Sequence, residues 1–282
     1  MLVNMKEMLN KAKEGKYAIA QFNINNLEWT RFILEECQEN NSPVILGVSE
    51  GAASYMGGYK TVADMVKDLI DYLKISVPVC LHLDHGSSFL VCCEAIDSGF
   101  TSVMIDASKY SLDKNIEITK EVVSYSKKFN VTVEGEVGHV GSDKNPDDEG
   151  IMYASVDDCI KYCQESGVDF LAPALGSVHG LYKGEPKLDF DRMQEISKIT
   201  NLPLVLHGGT GIDDEKIIKA ISSGICKINI NTELQIAWSN AVKEKINDGN
   251  NYDPRKIIKL GEDALKTCVR NKIKLLGSNN KL

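Results

Sequence analysis

The sequence predicts a single α/β domain, a (β/α)8 TIM barrel with a C-terminal helical extension. Three observations support this prediction: a length of 282 residues, eight short apolar runs, and helical periodicity between those runs. The runs are rich in β-branched or small residues and start almost continuously apolar, which is typical of parallel strands covered on both faces. An open doubly wound sheet is the competing fold. No linker divides the chain, so one domain is predicted over 1–282, with a helical arm over about 232–282.

The eight predicted strands follow one another at regular intervals. They occupy 17–25, 43–50, 77–86, 102–108, 131–138, 170–180, 203–211 and 225–231. Apolar residues three and four apart, or acidic residues that suit a helix N-terminus, predict helices between them. These helical segments are 29–37, 62–69, 116–123, 157–166, 191–200 and 213–223. The turn formers of 141–150 (GSDKNPDDEG) predict a loop over the barrel mouth, and we expect the arm to pack on another subunit.

Composition excludes several classes of partner. The net charge of −8 argues against nucleic acid. No apolar run approaches the roughly 18 residues of a membrane span, and the N-terminus lacks the apolar core of a signal peptide. The eight cysteines contain no CxxC pair. They are predicted to be free thiols in a reducing compartment, which favours a cytoplasmic location.

Parallel barrels carry their chemistry at the C-terminal ends of the strands. The polar residues at these predicted ends are Asn23, Asn25, Ser49, Glu50, Asp84, His85, Asp106, Glu134, Glu136, His179, His207, Asn229 and Asn231. Three imidazoles from three strands, those of His85, His179 and His207, predict a zinc-type ligand set with a position left for substrate. Asp106 and Glu136 are predicted either to orient these imidazoles or to form an alternative metal position. His82 lies deeper, and we expect it to form hydrogen bonds within the core.

The last two strands predict a phosphate site. The segments HGGTG at 207–211 and NINT at 229–232 both present small residues and backbone N–H groups just before a helix start. Loops after the seventh and eighth strands commonly hold phosphate in such barrels. A metal that polarises a carbonyl and a carboxylate that moves a proton then fit carbon–carbon cleavage in a phosphorylated ketose.

Long segments of the chain resemble the class II, metal-dependent fructose-1,6-bisphosphate aldolases. They are QFNINN, PVILGVSEGA, LHLDHGSS, SVMIDAS, VEGEVG, LAPALGSVHGLYKGEPKLDF, LVLHGGTGI and KININTEL. The resemblance runs almost end to end and implies the barrel and the reversible cleavage of fructose 1,6-bisphosphate to dihydroxyacetone phosphate and glyceraldehyde 3-phosphate. It also implies one catalytic zinc ion per subunit, room for a second or monovalent cation, and a homo-oligomer, either a dimer or a tetramer.

The resemblance further implies roles for single residues. Asp84 matches the proton donor and acceptor at the C4 oxygen, His85, His179 and His207 match the zinc ligands, and Asp106 and Glu136 match a second, substrate-free metal position. The positions that match the binding of dihydroxyacetone phosphate are Gly180, Gly208, Gly209, Thr210, Asn229, Ile230, Asn231 and Thr232. Those that match contacts to the rest of the sugar phosphate are Asn23, Ser49 and Arg255. Arg255 resembles an arginine that reaches the other phosphate across a subunit boundary, a task suited to a guanidinium fork.

One functional segment departs from the family. The loop after the fifth strand usually carries a glycine pair and then acidic residues, including a glutamate that moves a proton at C3. Here a count puts Lys144 at that position, and the nearby acids that remain open for the role are Asp143, Asp147, Asp148 and Glu149.

Several functional alternatives stay open at this point. Close relatives cleave tagatose 1,6-bisphosphate, although the forms DHGSS, LGSVHG and HGGTG favour fructose. A Schiff-base aldolase would use Lys227, the one strand lysine suitably positioned. A metal hydrolase would commonly carry an HxH pair where this chain has Gln21-Phe-Asn23, and a catalytically silent phosphosugar-binding barrel is the non-enzymatic alternative.

Overall fold

The computed structural model describes residues 2–140, 153–180, 182, 184–246 and 252–282. Its strands all pair in parallel, in sequence order, and β1 pairs with β8 to close the barrel. The strands are β1 (Ile19–Asn23), β2 (Val44–Ser49), β3 (Val79–Gly86), β4 (Ser102–Ile105), β5 (Thr132–Val137), β6 (Phe170–Pro173), β7 (Leu204–Leu206) and β8 (Ile225–Ile230). The predicted barrel is confirmed, and its closure excludes the open doubly wound sheet.

Helices surround this barrel, and each of the six predicted helical segments corresponds to one of them. The helices are α1 (Met5–Gly15), α2 (Leu27–Glu39), α3 (Glu50–Tyr55), α4 (Tyr59–Tyr72), α5 (Phe89–Ser98), α6 (Leu112–Ser126), α7 (Val156–Ser166), α8 (Phe190–Thr200), α9 (Asp214–Ser222), α10 (Thr232–Ile246), α11 (Pro254–Lys259) and α12 (Glu262–Leu276). The sequence patterns did not indicate α3, which is short, or α5. Within the described ranges, no helix is both long and apolar enough to cross a membrane.

The helix α1 closes the end of the barrel opposite the strand C-termini. Its buried face, including Met5, Met8 and Leu9, forms one apolar cluster with residues near the strand starts such as Ile19 and Phe170. The backbone N–H of Val3 also donates to the Val79 carbonyl at the start of β3, at 2.9 Å. The packing of α1 across this end leaves the strand C-termini as the end at which a substrate site is expected.

The helix α12 packs on α2 of the same chain and buries Leu265, Val269 and Ile273. This contact lies within one chain, so the expectation that the arm also packs on another subunit stays a prediction. Arg270 reinforces the contact, because its Nε and one terminal nitrogen donate to the two carboxylate oxygens of the fully buried Glu36 at 2.7 and 2.9 Å.

Replacing Arg270 with methionine is expected to lower the free energy of unfolding by about 2 kcal/mol, because the Glu36 carboxylate would stay buried without its charged partner. Thermal unfolding should show this as a drop in Tm of about 4–8 °C. The control is Arg31→Met, which breaks the more exposed pair with Glu35. That control should change stability by less than about 1 kcal/mol. Equal drops in Tm for the two variants would contradict the assigned importance of the Arg270 contact.

Candidate active site

The backbone at His85 lets two neighbouring residues face the same site. In a regular strand, Asp84 and His85 would point to opposite faces. His85 instead has φ of +54°, in the left-handed region that non-glycine residues rarely adopt, and the β3–β4 register shifts between Leu83 and Gly86. As a result, both side chains reach the barrel mouth. Such local strain commonly marks a functional position.

The three predicted ligand histidines form one cluster. His85 Nε2 lies 2.8 Å from His207 Nδ1, and the ring centroids of His85 and His179 are 4.9 Å apart. One nitrogen from each of the three rings lies within 4.8 Å of the other two. This geometry is compact enough for the three rings to share one cation.

Carboxylates bind the outer nitrogens of two of these rings. Asp106 Oδ2 lies 2.8 Å from His85 Nδ1, and Glu134 Oε1 lies 3.0 Å from His207 Nε2. A carboxylate only accepts, so each imidazole in its neutral form donates its N–H outward and directs the lone pair of its other nitrogen inward. Two lone pairs then converge on one point, which is the donor set that zinc binds. The residues present therefore fit a divalent metal.

Burial and nearby charges set the protonation of the cluster. Burial, followed by electrostatic repulsion from His85 and His207, lowers the pKa of His179 to about 3, so this ring is neutral and suited to bind a metal. Burial also disfavours charge on His85. Its hydrogen bond to Asp106 and the negative charge of Asp84 nevertheless raise its pKa to about 10. The carboxylates around the histidine cluster thus favour a positive charge there, and a divalent cation would supply it.

Asp106 and Glu136 differ in their contacts. Asp106 accepts from His85 and from the Ser108 hydroxyl, the latter at 2.7 Å. Glu136 Oε1 accepts from the Val140 N–H at 3.1 Å, whereas its buried Oε2 has no hydrogen-bond partner within the described residues. Burial and the charge of Asp106 raise the pKa of Glu136 to about 8. Together with His85, the two acids form a second group that could hold a metal ion.

Asp84 lies beside the histidines and is held by two amides. Asn23 Nδ2 donates to its Oδ2 at 2.8 Å, and Asn229 Nδ2 donates to its Oδ1 at 3.3 Å. Burial alone would raise the pKa of this carboxyl. Electrostatic attraction to His85 and His207, together with the Asn23 hydrogen bond, holds the pKa of Asp84 well below the usual range. Asp84 is therefore an ionised carboxylate at neutral pH.

The glycine-rich segment after β7 packs tightly on its neighbours. Gly208 has φ of +66°, and a Cβ there would lie 2.0 Å from the Val178 carbonyl oxygen. The Gly209 N–H donates to the Asn229 carbonyl at 3.1 Å, and the Thr210 hydroxyl accepts from the Glu233 N–H at 3.3 Å. Gly209 thus uses its N–H to join this segment to β8.

The other residues predicted to bind sugar phosphate differ in their contacts. Ser49 caps α3, since its hydroxyl accepts from the Ala52 N–H at 3.2 Å. Arg255 is an exposed residue at the start of α11 and pairs with Asp253 at 2.8 Å. Gly180 has φ of +96°, and Ile230 is fully buried. The loop residues Asp143, Lys144, Asp147, Asp148 and Glu149 lie outside the described residues.

Three buried side-chain amide oxygens lack a hydrogen-bond partner among the described residues. They are Oδ1 of Asn229 on β8, Oδ1 of Asn231 just after β8, and Oε1 of Gln21 on β1. Buried polar atoms are almost always satisfied, so these acceptors suit the hydroxyl groups of a bound molecule. Thr232 is the first residue of α10, where backbone N–H groups suit an anion.

The prediction for His82 is confirmed, and the importance of Glu134 was missed. His82 Nδ1 lies 2.9 Å from the Ser102 hydroxyl inside the barrel. Glu134 binds both His207 and Lys227, a contact set that the sequence analysis did not predict. The spacing of Glu134 and Glu136 was the available signal, because residues two apart on a strand share a face.

Comparisons with known proteins agree with this geometry. A sequence model of the class II fructose-bisphosphate aldolases matches residues 3–281. A fructose-bisphosphate aldolase of Geobacillus stearothermophilus is 58% identical over 99% of this chain and 98% of the relative, and one of Staphylococcus epidermidis is 55% identical over 99% of both. Among solved structures, the YdjI aldolase of Escherichia coli K12 has a TM-score of 0.88 at 34% identity, covering 100% of this chain and 99% of that one.

Proposed function

The chain belongs to the class II fructose-bisphosphate aldolase family, and we propose that its reaction takes place among the histidines and carboxylates at the mouth of the barrel. The chain is a lyase that acts on phosphosugars, and it cleaves fructose 1,6-bisphosphate to two triose phosphates. One observation carries the assignment of the site. It is the ionised carboxylate of Asp84 beside three imidazoles whose nitrogens converge on one point.

We assign zinc to His85 Nε2, His207 Nδ1 and one nitrogen of His179. The support is the donor set itself, because outward N–H groups bound to Asp106 and Glu134 leave inward lone pairs on His85 and His207. When bound, zinc supplies polarisation of the substrate carbonyl. Asp106 holds the His85 ring, and Glu136 is the residue through which a second metal position near Asp106 would form.

Asp84 is the proposed acid–base residue at the C4 oxygen. In cleavage, its carboxylate removes the C4 hydroxyl proton while the C3–C4 bond breaks, and the electron pair of that bond remains on C3 beside the carbonyl. In condensation, Asp84 returns the proton to the aldehyde oxygen. Asn23 and Asn229 fix both carboxylate oxygens, so they act by holding this base.

Dihydroxyacetone phosphate is proposed to lie between the segments that follow β7 and β8. The unpartnered amide oxygens of Asn229 and Asn231 suit its hydroxyl group, and the start of α10 at Thr232 suits its phosphate. Gly208, Gly209 and Thr210 shape this wall of the site through their contacts with Val178, Asn229 and Glu233. Ile230 lies between these two asparagines in the chain, and Gly180 lies at the end of the loop that carries His179.

The assembly and location are further parts of the proposal. Exposed Arg255, on α11, is assigned to the second phosphate of a substrate bound to a partner subunit in a dimer or tetramer. All eight cysteines are free thiols, which supports a reducing, cytoplasmic location. The acidic net charge of −8 argues against nucleic acid as a partner.

Lys227 does not suit the alternative Schiff-base chemistry. Its side chain is fully buried, and Nζ lies 2.7 Å from Glu134 Oε2. A nucleophilic lysine must present its amine to substrate, whereas the Lys227 amine is buried and already bound to Glu134.

A coupled assay of triose phosphate release tests the function, with fructose and tagatose bisphosphates as substrates and with and without a chelator. Cleavage of the fructose substrate should dominate and should stop when the metal is removed. Borohydride added with substrate should attach nothing to Lys227. Covalent trapping on Lys227, or substrate binding without triose phosphate release, would overturn the proposal in favour of a Schiff-base enzyme or a silent barrel.

A further inference from the structure

A fully buried ion pair lies beneath the histidine cluster, inside the barrel. The side chains of Glu134 on β5 and Lys227 on β8 both have 0% exposure, and their charged atoms are 2.7 Å apart. Glu134 uses its other oxygen, Oε1, to accept from His207 Nε2 at 3.0 Å. One carboxylate thus joins a lysine on one side to a proposed metal ligand on the other.

We propose that Glu134, held in place by Lys227, is a positioning residue that selects which nitrogen of His207 faces the metal. The proposal deepens the proposed function and rests on His207 as a ligand. Neutral imidazole has one N–H and one lone pair, and either nitrogen can carry the proton. Because a carboxylate only accepts, Glu134 fixes the proton on Nε2 and leaves the lone pair on Nδ1, the atom 2.8 Å from His85 Nε2.

Lys227 makes this arrangement possible in the barrel interior. A carboxylate removed from water is costly unless a charge and hydrogen bonds compensate it. Water reaches the other histidine-bound acid, Asp106, whose side chain is 26% exposed. Water does not reach the Glu134 side chain, which has 0% exposure. Within the part of the chain that the structure describes, its two oxygens accept hydrogen bonds only from His207 and Lys227. His82 lies close by but is not a substitute for either partner, since its Nε2 is 3.7 Å from Glu134 Oε2.

A purely structural role is the competing explanation of this pair, and metal binding distinguishes the two. The variants are Glu134→Gln, Lys227→Met and the double variant, which removes both charges and leaves neither buried alone. The probes are zinc alone, in competition with a chromophoric chelator, and cobalt(II), whose visible spectrum reports ligand geometry. The matched control is Glu36→Gln, because Glu36 is an equally buried carboxylate, paired with Arg270 on α12 instead of with the site.

Glu134→Gln and the double variant are expected to bind zinc about 10- to 100-fold more weakly and to change the cobalt spectrum. Lys227→Met should weaken zinc binding as well, whereas Glu36→Gln should leave zinc affinity and spectrum unchanged. A double variant with wild-type zinc affinity and cobalt spectrum would overturn the inference, even if its Tm falls. Wild-type protein that fails to bind zinc at all would instead overturn the proposed metal site itself, so the two failures are distinguishable.

Discussion

Asp84→Ala is expected to lower kcat by about 10²- to 10⁴-fold while zinc content stays at the wild-type level. Asp84 is an ionised carboxylate beside the histidine cluster, and amides of Asn23 and Asn229 hold both of its oxygens. It is not among the residues that could form either metal group. Its loss should therefore remove proton transfer at the C4 oxygen and leave the ligands intact.

The comparison for this variant is Asp64→Ala, which removes an exposed carboxylate on α4 that pairs with Lys60. Steady-state kinetics of fructose 1,6-bisphosphate cleavage should show wild-type kcat for Asp64→Ala. If Asp84→Ala instead turned over at the wild-type rate, Asp84 would not be the acid–base residue.

His207→Ala is expected to lose zinc as well as activity. His207 is 2% exposed, and its Nδ1 lies 2.8 Å from His85 Nε2, so its removal leaves two of the three proposed ligands. The loss in zinc affinity should exceed the roughly 10- to 100-fold that accompanies loss of an outer-shell partner. The measurement is metal analysis of the purified variant after dialysis against a weak chelator.

Retention of one zinc per chain by His207→Ala would contradict the ligand assignment. Supplying excess zinc during the assay is the companion experiment. It should restore part of the activity only if weakened binding, and not misfolding, caused the loss.

The apolar pattern of the strands predicted much of the barrel, but it did not predict the residues at which the strands end. β6 was predicted over 170–180 and ends at Pro173, whose missing N–H cannot continue a ladder. β7 was predicted over 203–211 and ends at Leu206, just before His207 and the glycine-rich loop. Small residues look similar in a buried strand and in the loop that follows it. Composition therefore located the strands but not their last residues.

The candidate site likewise contains residues that the sequence predicts and contacts that it does not predict. His85, His179 and His207 were predictable because each lies at a strand end or in the loop beyond it, and parallel strands bring those ends together. The contacts of Glu134 with His207 and Lys227 could not be predicted, because they join residues that are 73 and 93 positions apart in the sequence. Ser49 was predicted from a motif to contact sugar phosphate, which stays a prediction, and its hydroxyl also caps α3. Motif matching cannot see such a local hydrogen bond.

The most direct test of the account measures zinc per chain and kcat on the same preparations of wild type, Asp84→Ala and His207→Ala. We expect wild type to have zinc and activity, Asp84→Ala to have zinc without activity, and His207→Ala to have neither. Full activity in wild-type protein that metal analysis shows to be free of zinc and other divalent metals would contradict it.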